Sequence, residues 1–96
     1  GNVQFRISSL VSIFLDVSKI DQRIENTACI IEKSAIGQIL PRNGRYAARM
    51  YLQTGTPVHV QVKITDSSFE VFTENAVSLP FTAGTSIHKL EFIEKE

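Results

Sequence analysis

Apolar and polar side chains alternate strictly along one segment of this chain, and that alternation constrains the fold more than any other feature. Over residues 58–65 the even positions are Val or Ile, and the odd positions are His, Gln, Lys and Thr. Side chains of a β-strand point alternately to opposite faces, so the pattern predicts a strand with one buried and one solvated face. The same period of two recurs near both ends of the chain.

Turn signals separate several further segments with this period. Pro-Arg-Asn-Gly at 41–44, Thr-Gly-Thr-Pro at 54–57 and Asp-Ser-Ser at 66–68 are typical of tight turns. Alternation is found at 3–17, 46–52, 69–71, 77–81 and 88–93. We therefore predict an all-β fold, an antiparallel β-sandwich of about seven to nine short strands in one domain spanning residues 1–96.

One interval, residues 18–33, fits two structures. Ser18 and Asp21 have the spacing of a helix capping box, and apolar residues follow at helical intervals. Against a helix, β-branched residues are frequent, and Thr27, Cys29 and Ile31 alternate. We favour a strand over residues 27–32. The alternative is an α+β fold with one helix near 19–33.

The charge balance gives little support to a nucleic-acid partner. The 96 residues include 10 basic and 10 acidic side chains, so the formal net charge is zero. Proteins that bind nucleic acid usually present a basic face to the phosphates. The nearest candidate is a sparse arginine trio around a turn, Arg42, Arg45 and Arg49, which we interpret as a solvated edge.

Cysteine content and hydropathy suggest a cytoplasmic domain. Cys29 is the single cysteine, so no internal disulfide can form, and we expect it to be a small core residue. The apolar segment 10–17 is too short to span a bilayer, which disfavours a membrane location. We expect the domain to be excised from a larger protein.

The residues that most suggest chemistry do not complete a known site. Asp16 and Ser18 follow an apolar segment and resemble the start of the Asp-x-Ser-x-Ser metal site of von Willebrand A domains, but Ile20 cannot be the third ligand. A hydrolase built on Asp16 is the least favoured hypothesis, because the Asp-Thr/Ser-Gly motif of aspartic proteases is not present. His59 is expected to be solvated, and His88, which shares parity with Leu90, to be partly buried.

No catalytic, cofactor-binding or metal-ligating residue is therefore predicted, and we expect a non-enzymatic protein. One cysteine and two histidines on separate predicted strands give little support to a zinc site. Four phenylalanines of the second half are expected in the core rather than in a ligand site; these are Phe69, Phe72, Phe81 and Phe92.

The second half of the chain resembles a known family. Residues 39–46 (Ile-Leu-Pro-Arg-Asn-Gly-Arg-Tyr), the hairpin-like segment 58–72 and the stretch 86–90 (Ser-Ile-His-Lys-Leu) are similar to the β-rich region that follows the von Willebrand A domain in VIT/von Willebrand A domain proteins. The resemblance covers residues 36–92. It implies a non-enzymatic β-sandwich accessory domain of a multidomain intracellular protein, and no functional residue carries over from the family.

These observations predict a structural or protein–protein interaction module. The expected contact surface is the polar face that bears His59, Gln61 and Lys63, or the sheet edge near Pro80. Its partner would be another protein or a neighbouring domain of the parent chain, and homo-oligomerisation is left open. The alternative is a β module that binds a carbohydrate, a lipid or a membrane surface in a concave pocket with exposed aromatic rings.

Overall fold

The computed structural model describes residues 11–17, 20, 22–25, 28–53, 55–73 and 86–96. These residues form seven β-strands: β1 (Ser12–Phe14), β2 (Gln22–Glu25), β3 (Ala28–Glu32), β4 (Gly44–Leu52), β5 (Val58–Ile64), β6 (Ser68–Thr73) and β7 (Ile87–Lys95). One turn of 3₁₀ helix, Lys33–Ala35, follows β3. Every pair of neighbouring strands is antiparallel, which confirms the predicted all-β class.

The described strands form one sheet in the order β1-β7-β4-β5-β6-β3-β2. Within it, β4, β5 and β6 are successive neighbours, and β7 returns to lie beside β4. This spatial order is a Greek key. The two packed sheets that define a sandwich stay a prediction, since residues 3–7 and 77–81, which were predicted as strands, lie outside the described residues.

The sheet is strongly curled, as one aromatic contact demonstrates. The ring centroids of Phe69 on β6 and Phe92 on β7 are 6.3 Å apart. In the sheet order these strands are three spacings apart, which in a flat sheet would separate them by about 14 Å. The sheet must therefore bend so that its inner face closes on itself.

The core occupies that concave inner face, as the alternation predicts. On β5, Val60, Val62 and Ile64 are buried, while His59 and Lys63 are exposed on the convex outer face. Among the described residues, the buried apolar side chains are those of Ile13, Leu15, Val17, Cys29, Ile31, Ile36, Tyr46, Ala48, Met50, Val60, Val62, Ile64, Phe69, Val71, Ile87, Leu90 and Phe92. Full burial of one such large side chain contributes roughly 1.5–3 kcal/mol.

The contested interval forms strands. Residues 28–32 are β3, as favoured above, and β3 pairs with β6 with Cys29 and Ile31 buried. The alternative helix near 19–33 is wrong, because residues 22–25 form β2 and pair with β3. The apolar residues at helical intervals are not on one buried face: Ile31 is buried, whereas Ile24 is 38% exposed on the outermost strand.

Two of the three turns predicted from the sequence, at 41–44 and 66–68, meet at one end of the sheet. The Lys33 ammonium donates hydrogen bonds to the Asn43 side-chain oxygen at 2.9 Å and to the Thr65 carbonyl at 3.2 Å. The Asn43 amide in turn donates to the Asp66 carboxylate at 2.6 Å. Gly44, which begins β4, has a φ of +150°, a conformation that favours glycine. These bonds connect the entry to β4 with the β5–β6 hairpin.

A buried tyrosine fixes that entry from the inside. The Tyr46 ring packs edge-on against Phe92, with centroids 5.3 Å apart, and its hydroxyl donates a 2.5 Å hydrogen bond to the Arg42 carbonyl. Burial raises the pKa of the Tyr46 phenol, and the Arg42 charge partly opposes the rise. A tyrosine hydroxyl bonded to backbone a few residues upstream also closes the tyrosine corner of Greek-key sandwiches.

Replacing Tyr46 with Phe should lower the free energy of unfolding by about 0.5–1.5 kcal/mol, because the Arg42 carbonyl loses its donor. Urea unfolding followed by circular dichroism measures the change. The matched control is Tyr51→Phe, whose hydroxyl bonds to Glu91 on the outer face; it should cost less than about 0.5 kcal/mol. Equal losses in the two variants would contradict the assigned role of the Tyr46 hydroxyl.

Candidate functional site

The outer face of β4 and β5 collects basic side chains. We call this surface the basic patch: Arg45 and Arg49 on β4, His59 and Lys63 on β5, and Ala47 and Gln61 between them. The structure thus brings together the three predicted contact residues of β5, with His59 and Lys63 exposed and Gln61 half-buried. Pro80, the fourth predicted contact residue, lies outside the described residues.

The register of β4 and β5 places like charges side by side. Arg45 stands directly opposite Lys63, Ala47 opposite Gln61, and Arg49 opposite His59. Side chains directly opposite on one face of an antiparallel pair are close neighbours, and like charges there are destabilising. The Arg45–Lys63 pair therefore does not by itself stabilise the sheet, whereas the oppositely charged Glu70 stands beside Lys63 on β6.

An aromatic platform holds the Arg45 guanidinium. Its central carbon lies 4.9 Å from the centroid of the Phe72 ring on β6, in cation–π geometry. One of its nitrogens donates to the Gln61 side-chain oxygen at 3.3 Å. The long Arg45 side chain thus reaches across β5 and lies along the outer face.

The second arginine of the patch is neutralised within the sheet. Arg49 donates to the Glu91 carboxylate at 2.6 Å, and the Tyr51 hydroxyl donates to the same oxygen at 3.2 Å. The Arg49 hydrogen bond is the main reason why the pKa of Glu91 is lowered and that of Arg49 is raised. Lys89 lies over the Tyr51 ring at 4.6 Å. Arg49 therefore has a stable internal partner.

Sequence reasoning missed the roles of Arg45, Arg49 and Phe72. Arg45 is solvated, as expected, but the predicted edge position is wrong for Arg45 and Arg49, because β4 lies inside the sheet between β7 and β5. Phe72 was expected in the core, but it faces outward, because Phe69 and Val71 on β6 are buried and Thr73 after it is buried too. The alternation along β6 was the signal that could have shown Phe72 to face outward, because Phe69 and Val71 lie on the other face.

The expectation for His88 is also wrong, because a β-bulge changes the parity of β7. Tyr51 pairs with Lys89, but Leu52 pairs with Ile87, which leaves His88 as the extra residue. His88 is consequently exposed, and its ring lies edge-on to Phe14 with centroids 6.3 Å apart. Phe14 is itself 59% exposed.

A side-chain amide covers part of the edge of β1 with which no described strand pairs. The Leu15 N–H donates to the His88 carbonyl on the β7 side, so the polar backbone groups of Phe14 point to the opposite side. There the Phe14 N–H donates to the Gln38 side-chain oxygen at 3.1 Å, and the Gln38 amide nitrogen donates to the Phe14 carbonyl. Gln38 thus forms the hydrogen bonds that a further strand would make. Its neighbour Ile39 is 85% exposed.

Cys29 is a core residue, as predicted. Its thiol is fully buried and donates to the Gln22 side-chain oxygen at 2.9 Å. Burial raises the pKa of the thiol from 9.0 to about 11. The nucleophilic thiolate is therefore strongly disfavoured at neutral pH.

The remaining candidates for chemistry are dispersed. Asp16 is exposed, and its carboxylate accepts a hydrogen bond from the Ser86 hydroxyl at 3.3 Å. Within the described residues, no group of three or more His, Cys, Asp or Glu side chains could hold a metal ion. In the same part of the chain, no helix has the length and hydropathy needed to cross a membrane.

A shallow cavity of about 420 Å³ lies beside β2, β3 and the β5–β6 turn. Five of its six lining residues are polar or charged, the sixth is Ile30, and none is aromatic; the polar ones are Gln22, Arg23, Glu32, Ser67 and Ser68. This lining differs from the mostly apolar, aromatic walls of typical small-molecule sites.

Comparisons with known proteins assign no family to the chain: no family model, curated protein or solved structure matches it. The resemblance of residues 36–92 to the region after the von Willebrand A domain stays a prediction.

Replacing Gln38 with Ala should increase self-association. The change exposes the Phe14 backbone groups between apolar side chains, and such uncovered strand edges pair with other chains. Size-exclusion chromatography with light scattering should give a larger average mass than for the unaltered chain. Gln53→Ala, at another exposed glutamine, is the control and should leave the mass unchanged. An unchanged mass for Gln38→Ala would refute this role of the amide.

The Cys29 thiol should resist alkylation by iodoacetamide until the protein is unfolded. Its raised pKa also predicts a pH effect: the unfolded thiol ionises near 9.0, but the folded thiol only near 11. The corresponding contribution to the free energy of unfolding is complete below pH 9 and is lost as the pH rises towards 11. Tyr46, whose pKa is raised from 10.0, adds to the fall at higher pH.

Denaturant unfolding at a series of pH values measures how the free energy of unfolding falls as the pH rises. The control is Cys29→Ala, in which the fall between about pH 9 and 10 should largely disappear. Rapid alkylation of the folded protein, or the same slope in both proteins, would contradict the assignment.

Proposed function

We propose that this chain is a non-enzymatic protein-interaction module of a larger intracellular protein, and that it binds its partner through the basic patch. The observation that carries the proposal is the Arg45 guanidinium, which lies on Phe72 and is held by Gln61 on an exposed sheet surface. A side chain ordered in this way loses less conformational entropy when a partner binds.

The composition of the surface also supports this function. Arginine and aromatic residues are enriched at protein interfaces and among the residues that contribute most to binding. The basic patch and its borders combine Arg45 and Arg49 with Phe72 and Tyr51. The patch lies on the central strands of the sheet, whose backbone is fixed by pairing on both sides. Such a rigid base is suited to presenting a binding surface.

The resemblance to VIT/von Willebrand A domain proteins is consistent with this role. Under that reading the module is an accessory domain, and the partner is either another protein or a neighbouring domain of the parent chain. The alternative of a carbohydrate, lipid or membrane ligand required a concave pocket with exposed aromatic rings. The six residues that line the cavity beside β2 and β3 include no aromatic ring, which does not favour this alternative.

Site-specific photo-cross-linking in the full parent protein tests the proposal. A benzophenone amino acid replaces His59, which is exposed in the patch, and in a matched control replaces Ser34, which is exposed at the 3₁₀ turn. Irradiation of intact cells should give a discrete adduct from position 59 and none from position 34. Mass spectrometry identifies the partner peptide.

Two results would count against the interaction module. One is no adduct from position 59, and the other is the same set of products from both positions. A cross-link to another domain of the parent chain would support the version in which the partner is a neighbouring domain.

A further inference from the structure

We propose that the partner presents a short acidic segment, and that one of its carboxylates binds between Arg45 and Lys63. This inference rests on the proposed function and adds the chemical class of the partner. Arg45 and Lys63 face each other across β4 and β5 in direct register. A carboxylate between them would relieve the repulsion between the two cations.

The hydrogen-bond donors of these two residues are largely unused. Of the five N–H groups of the Arg45 guanidinium, one bonds to Gln61, and within the described residues Arg45 forms no ion pair. Lys63 likewise has no hydrogen-bond or ion-pair partner in the described part of the chain. A planar guanidinium binds a carboxylate through two parallel hydrogen bonds, and an adjacent ammonium adds a third.

Nearby acidic residues leave this pair of cations available. Glu70 stands opposite Lys63 on the β6 side, but its carboxylate accepts a hydrogen bond from the Ser68 hydroxyl at 3.0 Å and forms no ion pair with Lys63. Glu91 is bonded to Arg49. The surface therefore neutralises one of its two arginines and leaves the other, together with Lys63, for an external anion.

The size and borders of the patch favour a peptide over a nucleic acid. Arg45 and Arg49 are four residues apart on one strand, which corresponds to about 14 Å, or about four residues of extended peptide. Glu70 borders the patch on β6, and Glu91 and Glu94 border it on β7. These carboxylates would repel a phosphate backbone that continues past the patch more strongly than a short segment with one carboxylate between Arg45 and Lys63.

Nuclear magnetic resonance titration of the ¹⁵N-labelled chain tests the inference. The probe is a short peptide of alternating glutamate and threonine, and the control peptide has glutamine in place of glutamate. Addition of the acidic peptide should shift the amide signals of residues 45, 61 and 63, and increasing salt should weaken the binding. The glutamine peptide should cause no such shifts.

Charge-neutralising variants locate the binding site. Arg45→Gln and Lys63→Gln should each lower the affinity for the acidic peptide by about tenfold, because each variant loses one charge-assisted contact. Arg23→Gln is the matched control, since it removes the same charge from the same sheet at the outermost strand β2; its affinity should be unchanged. The amide spectra of all three variants establish that they fold.

Three results would overturn the inference: equal affinity of Arg45→Gln and the unaltered chain, equal binding of the glutamine peptide, or tighter binding of oligo(dT) or of phosphatidylserine vesicles through the same residues. If position 59 cross-links to a protein but the acidic peptide does not bind, the result supports the interaction-module proposal. It refutes only the proposal that the partner presents an acidic segment.

Discussion

The contact between Phe69 and Phe92 is the constraint on which the rest of the structure depends. Their rings meet although three strand spacings separate β6 from β7 in the sheet order. The curl that this requires turns one face of the sheet into an enclosed core and the other into a convex surface. Tyr46 completes the aromatic group, and its hydroxyl connects that core to the turn that begins β4. Packing of the aromatic core therefore also fixes the turn that leads into β4.

The same curl decides what the outer face presents. Because the inner positions of β4, β5 and β6 are committed to the core, their remaining side chains must lie on the convex face. The register of β4 and β5 then places Arg45 beside Lys63, and Phe72 on β6 supports the Arg45 guanidinium. Like charges in register reduce stability, whereas a bound anion would compensate for that loss. The proposed binding role would account for the pairing of Arg45 with Lys63.

Departures from regular pairing shape the border of the sheet. The bulge at His88 allows Ile87 and Leu90 to be buried on the same face although they differ in parity. It also moves the His88 ring outward to Phe14 on β1. Beside this contact, Gln38 provides the hydrogen bonds that a neighbouring strand would offer to Phe14. Local irregularities thus serve both core packing and protection of an edge.

The period of two in the sequence was sufficient to predict the all-β class, the positions of β4 to β7 and the solvated side of β5, because alternation follows directly from strand geometry. It could not predict the strand order, the bulge at His88 or the alignment of Arg45 with Lys63. Those features depend on which strands pair and in which register, and this is decided by contacts between residues far apart in the chain, such as Phe69 with Phe92. Each strand carries the pattern of its own two faces, and only the folded sheet determines which side chains of different strands become neighbours.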